Sequence, residues 1–464
     1  MKRSLALLVA GTFFMENLDG TVITTALPRM AVSLHEPAVR LSVAITAYLV
    51  TLAVLIPVSG WIADRFGART VFAAAIVIFT LASVLCAVST TLVELVVARV
   101  LQGAGGALMV PVGRLVVLRE TPKSELVRAV AYLTWPALLA PVIAPAVGGL
   151  LVTDASWRWI FLINVPLGVI ALVAALRLVP QLHSTERRGL DLVGVLLSGA
   201  GIALLVESAQ SLEGAHVQWG VVAITALFGI ALTVAAVRHL LRTDEPLVDL
   251  RIGRIATYRV AILGGSLFAL SVGALPFLVS LDLQDGLHWS AVHAGLVVIS
   301  IFAGNVAIKP FTTPILRRWP FRGVLAAAAL GVGLTMFACG TFGGWTPVAL
   351  MLVVLFASGV TRSIGFTAYN TIVFSDVPEA QMRDANVLFS TVQTMAIGLG
   401  VAVGALAVRA GAPLDRLLGG TGTGVAPYAL AFVLVGLVPL VAVTESIRLP
   451  RDAGASLAVR RGAE

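Results

Sequence analysis

The amino-acid sequence predicts an all-α polytopic membrane protein, and two of its features indicate this fold class. Of the 464 residues, 58% are hydrophobic and only 12% are charged, whereas soluble domains carry about 25% charged residues. The apolar runs are also long enough to cross a bilayer, which takes about 20 residues of helix. They fill the chain with short connections between them. Because no stretch remains for a soluble module, we do not expect an enzyme.

The apolar runs and their polar breaks predict fourteen transmembrane helices. An even number of spans places both termini on one side of the membrane. Most of the 32 Lys and Arg residues fall in the termini and in the loops on that side, which the positive-inside rule assigns to the cytoplasm. The predicted spans are 4–28, 41–63, 70–89, 93–114, 127–152, 157–178, 190–210, 217–238, 258–280, 290–309, 322–341, 346–369, 384–409 and 425–446.

The composition also bears on partners and cofactors. The net charge of +8 does not indicate a nucleic-acid partner, because the basic residues are scattered over short loops. Cys86 and Cys339 both fall inside predicted spans, and the sequence has no zinc-binding HExxH pattern and no Walker A phosphate loop. We therefore expect no metal, no cofactor and no use of ATP by this chain.

Two acidic residues lie inside the first apolar run. Glu16 and Asp19 are three residues apart, so they share one face of the helix. A charged side chain near the bilayer centre costs roughly 2.5–3.5 kcal/mol on insertion scales. A polar cavity or protonation would offset that cost, and both suggest a proton-coupled transport site. The alternative is that either acid only pairs with an arginine of a neighbouring helix.

The connection between spans 2 and 3 concentrates charge and glycine in a few residues. Gly60 is followed by the sequence WIADRFGAR, in which Gly67 permits a tight turn. Asp64 and Arg65 either form an ion pair that fixes two helix ends or belong to a solvated loop. The pattern includes a second basic residue, Arg69.

Spans 4 and 5 carry two further unusual stretches. Span 4 contains Arg99 followed by Gln102 and several glycines, which makes Arg99 a candidate buried cation. Span 5 contains three prolines, which remove backbone hydrogen bonds and bend a helix. These prolines and the glycines after them are Pro136, Pro141, Pro145, Gly148 and Gly149.

Together these stretches resemble the signatures of the major facilitator superfamily. The loop at 60–69 matches G-x-x-x-D-R-x-G-x-R, and the stretch from Arg99 matches R-x-x-Q-G-x-G. Span 5 is similar to the antiporter pattern G-x-x-x-G-P-x-x-G-G, with Ala140 and Ala144 in place of two glycines. Leu18–Pro28 resembles the first-span signature of the fourteen-span drug:proton antiporter branch, with Thr24 in place of an asparagine.

The resemblance implies a fold and roles for these residues. It implies a major facilitator fold of two six-helix halves plus two inserted helices, built as paired repeats. The expected divisions are 1–180, an insertion at 181–245, 246–450 and a cytoplasmic tail at 451–464. It also implies that the loop at 60–69 is a conformational gate, that span 5 is the antiporter helix, and that Arg99 transfers protons by changing partners with Asp19. A static ion pair between Arg99 and Glu16 or Asp19 is the alternative.

The second half offers fewer signals. Arg362 lies within predicted span 12, where it either extends to the cytoplasmic face or lines the substrate cavity and favours an anionic substrate. The other candidates for cavity lining are Trp135 in span 5 and three polar residues of the second half, Tyr369, Asn370 and Gln393.

These features predict a proton-coupled antiporter in the bacterial plasma (inner) membrane that exports amphipathic drugs or other small molecules by alternating access. Its expected partners are its substrate, protons and the lipid bilayer, with a periplasmic adaptor and an outer-membrane channel as further candidates. The alternative function is proton-driven export of an organic anion or a metal chelate such as citrate, motivated by Arg99 and Arg362.

Overall fold

The computed structural model describes residues 3–36, 38–181, 189–212, 217–417, 425–450 and 453. Within these residues the regular structure is entirely helical. Its α-helices are α1 (Arg3–Leu34), α2 (Ala38–Phe66), α3 (Ala68–Val88), α4 (Leu92–Arg119), α5 (Leu126–Asp154), α6 (Trp159–Leu162), α7 (Asn164–Leu178), α8 (Leu192–Ser211), α9 (Trp219–Arg242), α10 (Ala256–Leu281), α11 (Ala291–Ala307), α12 (Lys309–Arg318), α13 (Phe321–Cys339), α14 (Val348–Ile372), α15 (Met382–Leu417) and α16 (Ala426–Ile447).

Helix length and composition indicate many membrane crossings. Twelve helical segments of the described chain are long and apolar enough to cross a bilayer. The pair α11 and α12 makes thirteen if it is one broken span, bent by 50°. The bend follows from Pro310, which lacks the N–H that would continue the hydrogen-bond ladder. A further helix, α5, has 29 residues. The fold class is confirmed, while the count of fourteen spans stays a prediction.

The first seven helices form an N-terminal half. Here α1 packs along α5, and α4 packs between α2 and α3. Small residues permit this close approach. A Cβ atom on Gly105 would lie 2.7 Å from the backbone nitrogen of Phe79, and one on Gly103 would lie 2.8 Å from the carbonyl oxygen of Tyr48. The glycines of span 4 therefore hold α4 against both of its neighbours.

Helices α10 to α16 form a C-terminal half with related packing. Here α10 lies along α15, α11 along α14, and α13 along α16. A Cβ atom on Gly359 would clash with the carbonyl oxygen of Ile301, so α14 and α11 also approach closely at a glycine. The core of this half contains fully buried aromatic rings, among them Phe268 and Phe374.

The inserted pair lies outside both halves. α8 packs against α9, and it also contacts α2 of the N-terminal half and α15 of the C-terminal half. The exact divisions at 180, 245 and 450 stay predictions.

The two halves contact each other mainly where α15 lies against α2 and α4, and where α5 lies against α11, α12 and α14. We call the end of the bundle that carries the α2–α3, α4–α5, α12–α13 and α14–α15 connections the basic end, because Lys and Arg residues cluster at the helix ends there, although residues 373–381 between α14 and α15 contain none.

Candidate functional site

The Asp19 carboxylate lies at the centre of a buried hydrogen-bond network in the N-terminal half. Its Oδ2 accepts a hydrogen bond from Arg99 Nη1 at 2.6 Å, and both side chains are fully excluded from solvent. Its Oδ1 accepts from Gln102 Nε2 and from Asn164 Nδ2, each at 2.8 Å. Helices α1, α4 and α7 thus converge on a single carboxylate, which satisfies most of its hydrogen-bonding capacity.

The same network fixes Arg99 from several directions. Nη1 also donates to Gln102 Oε1 at 2.7 Å, and the guanidinium lies 4.1 Å from the ring centroid of Tyr48 on α2. Ser83 on α3 accepts a bond from Gln102 Nε2 at 2.8 Å. Arg99 Nη2, however, is buried with no hydrogen-bond partner among the described residues. The Nη2 group of Arg99 therefore donates no described hydrogen bond while the ion pair with Asp19 is formed.

This geometry suits a proton-dependent switch. A buried ion pair is stable only while both charges are present, because removing one partner leaves an uncompensated charge that costs about 3–5 kcal/mol. A proton on Asp19 would remove the negative charge that holds Arg99. The guanidinium cannot lose its own proton in proteins, so it would need another acceptor.

Glu16, three residues before Asp19, lies outside that network. It packs over Gly106 of α4, where a Cβ atom would lie 3.6 Å from the carboxyl carbon of Glu16. Its Oε2 atom is buried with no hydrogen-bond partner in the described part of the chain. Glu16 lines a small cavity of about 50 Å³ between the halves. A cavity of this size can hold water.

The side chains around the cavity come from both halves. α4 contributes Arg114, and α15 contributes Ser390, Gln393 and Thr394. Arg114 Nη1 donates to Ser390 Oγ at 3.4 Å across the interface. The cavity therefore lies where relative motion of the halves would change its shape.

The predicted loop at 60–69 is helical except for Gly67, because α2 continues to Phe66 and α3 begins at Ala68. At the basic end, this segment joins the two halves through Asp64. Its Oδ2 accepts a hydrogen bond from Arg383 Nη1 of α15 at 2.8 Å, and its Oδ1 lies 3.9 Å from Arg119 Nη2. Arg383 also donates to Asp384 Oδ1, at 2.6 Å from Nη2 and 2.9 Å from Nε. The partner of Asp64 is thus an arginine of the opposite half and not its neighbour Arg65, which is exposed.

Three further residues of this segment position that contact. Gly60 allows α15 to approach α2, because a Cβ atom there would lie 2.8 Å from Val387 Cγ2. Gly67 has a φ of 86°, a conformation that glycine adopts without the cost a side chain would add. Arg69 Nε donates to the carbonyl oxygen of Val179 at 2.6 Å. This last bond ties the start of α3 to the end of α7.

Further bonds close the basic end. Lys123 Nζ donates to the carbonyl oxygen of Ser375 at 3.0 Å, and Asn386 Nδ2 donates to the carbonyl oxygen of Pro111 at 2.9 Å. Lys309 Nζ, at the break between α11 and α12, donates to Thr134 Oγ1 of the N-terminal half at 3.1 Å and to Thr367 Oγ1 of its own half at 3.0 Å. The structure thus shows a conformation in which the halves are joined at this end.

The predicted antiporter helix, α5, packs on α1 at Gly148. A Cβ atom on Gly148 would clash with the side chain of Thr25, whereas one on Gly149 would meet nothing within 4 Å. Pro141 and Pro145 lie within the helix, but their side chains fall outside the described residues. Trp135 is 43% exposed on α5, and its place in a substrate cavity stays a prediction.

The second-half candidates separate into different environments. Gln393 lines the cavity with Glu16. Both Gln393 and Tyr369 line a much smaller void of about 10 Å³, and the Tyr369 hydroxyl lies 3.3 Å from Ser446 Oγ. Asn370 is buried and donates to the carbonyl oxygen of Phe366 in its own helix at 2.8 Å. One of the two amide donors of Asn370 is therefore used within α14.

Arg362 is half-buried within the C-terminal half. Its guanidinium carbon lies 5.6 Å from the ring centroid of Phe302 and 5.9 Å from that of Phe366. Nε and Nη1 are buried and have no hydrogen-bond partner among the described residues. This environment does not support the expected alternative of an arginine extended to the cytoplasmic face.

Sequence reasoning did not single out several residues of this site. Arg114 falls at the end of predicted span 4, yet α4 continues to Arg119, which places Arg114 inside the bundle. Gln102 was recognised only as part of the R-x-x-Q-G-x-G pattern of span 4. Ser83, Asn164 and Arg383 gave no signal of their own, because single polar residues become partners of Asp19 or Asp64 only through helix packing.

A family model described as Major Facilitator Superfamily matches residues 9–401 of the chain. The chain therefore belongs to the Major Facilitator Superfamily and is a multi-pass membrane transport protein. It is 38% identical over 401 residues to a putative multidrug resistance protein MdtD from Escherichia fergusonii, covering 86% of this chain and 84% of that protein. It is 39% identical over 403 residues to the protein of the same name from Serratia proteamaculans, with the same coverage.

Solved structures show the same architecture. The crystal structure of the human organic anion transporter MFSD10 (TETRAN) superimposes with a TM-score of 0.68 at 16% identity, covering 96% of this chain and 99% of that one. The proton:xylose symporter XylE, bound to 6-bromo-6-deoxy-D-glucose, gives a TM-score of 0.59 at 15% identity, covering 94% of each chain. At these identities the likeness concerns the fold alone, and it confirms the predicted major facilitator fold.

Proposed function

We propose that this protein is a proton-coupled antiporter of the bacterial plasma membrane that exports amphipathic small molecules by alternating access. The observation that carries the proposal is the fully buried Asp19–Arg99 ion pair at 2.6 Å, close in sequence to a second carboxyl within α1, Glu16, which lines a cavity between the halves. The similarity to proteins named as putative multidrug resistance proteins supports drug-like substrates.

In the proposed cycle, a proton that enters from outside binds one of these acids and weakens the pairing of Asp19 with Arg99. Release of Arg99 permits the halves to rearrange, and the contact between Asp64 and Arg383 opens at the basic end. The proton then leaves to the cytoplasm and substrate binds. Deprotonated Asp19 recovers Arg99, and the basic end closes around the loaded cavity.

The driving force is adequate for useful export. One proton that crosses a potential of about 100 mV releases about 2.3 kcal/mol, and one pH unit adds about 1.4 kcal/mol. Their sum corresponds to roughly a 500-fold gradient of a neutral substrate exchanged one for one.

Everted membrane vesicles test the proposal. With an imposed proton gradient, vesicles that contain the wild-type protein should accumulate a cationic dye such as ethidium, and a protonophore should abolish the accumulation. Asp19→Asn should lose proton-driven uptake while the protein remains folded. Asp244→Asn is the matched control, because Asp244 is exposed on the loop after α9. Undiminished proton-driven uptake by Asp19→Asn would remove Asp19 from the mechanism.

The second candidate function is export of an organic anion or a metal chelate such as citrate. Arg362 favours it, because its buried Nε and Nη1 have no hydrogen-bond partner among the described residues. Arg99 does not favour anion export in this structure, because Asp19 neutralises its charge. In the same vesicles, competition by citrate and not by cationic dyes would select this function.

Two further elements of the proposal are the orientation and the accessory partners. The basic end is proposed to face the cytoplasm together with both termini, as the distribution of Lys and Arg favours. Protease or label accessibility in everted and intact vesicles tests this. Export through a periplasmic adaptor and an outer-membrane channel would be tested by co-purification from cross-linked cells.

A further inference from the structure

The cavity between the halves is lined by an acidic and a basic side chain that form no salt bridge with each other. Glu16 of α1 presents a carboxyl whose Oε2 has no hydrogen-bond partner in the described chain. Arg114 of α4 lines the same cavity, and its described hydrogen bond is the long one, 3.4 Å, to the Ser390 hydroxyl. Neither side chain takes part in the hydrogen bonds around Asp19, so both are available to a ligand.

Aromatic rings hold the Arg114 guanidinium in place. Its central carbon lies 5.5 Å from the ring centroid of Phe13 on α1 and 5.6 Å from that of Phe389 on α15. Contacts of this kind attract a cation without neutralising its charge. Arg114 is therefore positioned between the halves while its positive charge remains available.

Burial of unpaired charge determines which ligand suits the cavity. A ligand with only a positive group would pair with Glu16 but bring a like charge towards Arg114. A ligand with only a negative group would pair with Arg114 but bring a like charge towards Glu16. A ligand that carries one ammonium and one carboxylate satisfies both, because each desolvated charge then gains a partner. Ser390, Gln393 and Thr394 add neutral hydrogen-bonding groups from the opposite half.

We propose that the cavity lined by Glu16 and Arg114 is the binding site for a zwitterionic head group, with the ammonium on Glu16 and the carboxylate on Arg114. The inference rests on the proposed export function and narrows its substrate class to zwitterionic amphipaths. The volume of about 50 Å³ belongs to the conformation closed at the basic end. The apolar body of such a ligand extends from the cavity when the halves separate.

Three matched fluorescent probes test this. Nε-dansyl-lysine is a zwitterion, its α-carboxamide keeps only the ammonium, and Nα-acetyl-Nε-dansyl-lysine keeps only the carboxylate. Binding to the purified full-length protein in lipid nanodiscs is measured by dansyl fluorescence. We expect the zwitterion to bind at least about tenfold more tightly than either singly charged probe, because hydrogen bonds to charged groups contribute most when both partners are desolvated.

Substitutions assign each end of the probe. Arg114→Gln should remove the preference for the zwitterion over the carboxamide, Glu16→Gln should remove the preference over the acetylated probe, and Arg114→Lys should retain part of the first preference because it keeps the charge. Arg128→Gln is the matched control, since Arg128 is exposed at the start of α5. It should leave all three affinities within about twofold of the wild type.

Equal affinity of the wild type for the three probes, or no binding of any of them, would overturn the inference. So would an Arg114→Gln protein that elutes as a single folded species yet binds all three probes equally weakly, because Arg114 would then be structural. The proposed function is tested independently of this inference. Proton-driven ethidium uptake without a zwitterion preference would support the exporter function and contradict the head-group site. A zwitterion preference without proton-driven uptake would support the head-group site and contradict the antiporter function.

Discussion

At the scale of single residues, the structure assigns the two acids of α1 to different environments although they are only three positions apart. Asp19 is surrounded by donors from Arg99, Gln102 and Asn164. Glu16 faces a cavity and has a buried oxygen without a described partner. A carboxylate that accepts from one cation and two neutral amides can bind protons and ligands differently from one with an open side. The proposed functions follow this division, with Asp19 in proton coupling and Glu16 in substrate binding.

The Asp19–Arg99 pair should show strong energetic coupling. Arg99→Gln leaves a buried carboxylate without its cation and should destabilise the folded protein by about 3–5 kcal/mol. Adding Asp19→Asn removes the orphaned charge, so the double variant should be more stable than Arg99→Gln alone. Unfolding of the two single variants and the double variant in detergent measures this cycle. Strictly additive losses of stability would show that the two side chains do not interact.

At the scale of helices, closely spaced glycines decide where the helices can approach. α5 offers an internal comparison, because a Cβ atom would clash with Thr25 at Gly148 but meet nothing within 4 Å at Gly149. Helix packing in a membrane depends on such small residues. The close contact between α1 and α5 is therefore made at Gly148 and not at Gly149.

Gly148→Val should be the damaging substitution of this pair. Overpacking of a close contact typically costs about 1–3 kcal/mol, and here the added side chain would push α5 away from α1 beside the Asp19 network. Gly149→Val should fold with a melting temperature near that of the wild type. Thermal unfolding of both variants in one detergent checks the comparison, and equal destabilisation would contradict the packing seen at Gly148.

Gly60 is expected to control closure of the basic end. Gly60→Val would force α15 away from α2, because the first added carbon already lies 2.8 Å from Val387 Cγ2. The reporter is a cysteine in place of Ser390, labelled by a membrane-impermeant maleimide, while the native Cys86 and Cys339 are buried. Labelling from the basic end should become faster in Gly60→Val. It should not change in Gly11→Val, where a Cβ atom meets nothing within 4 Å.

Particular residues show how far the sequence alone could lead. A carboxylate or guanidinium inside an apolar run has few stable environments, so Asp19, Glu16 and Arg99 were visible at once. Partners such as Asn164 and Arg383 depend on which helix faces which, and no local pattern encodes that. The break between α11 and α12 was also missed, because predicted span 10 ends at 309 whereas helix continues to Arg318 after the bend.

At the scale of the whole molecule, the structure joins its halves at the basic end while the Asp19–Arg99 ion pair is formed. The contacts there include Asp64 with Arg383 and Lys123 with the carbonyl oxygen of Ser375. In an antiporter, the protonated form must reopen the side that the substrate-loaded form closes. We therefore propose that the charge of Asp19 controls whether the basic end is open.

The most direct test is the distance between the halves at the basic end. Spin labels at exposed Arg65 and Glu379, one in each half, report this distance by pulsed electron paramagnetic resonance. Asp19→Asn imitates the protonated acid and should shift the population to longer distances than the wild type shows at high pH, with Asp244→Asn unchanged. Acidification should shift the wild type in the same direction. Identical distance distributions for the wild type and Asp19→Asn at high pH would contradict the claim.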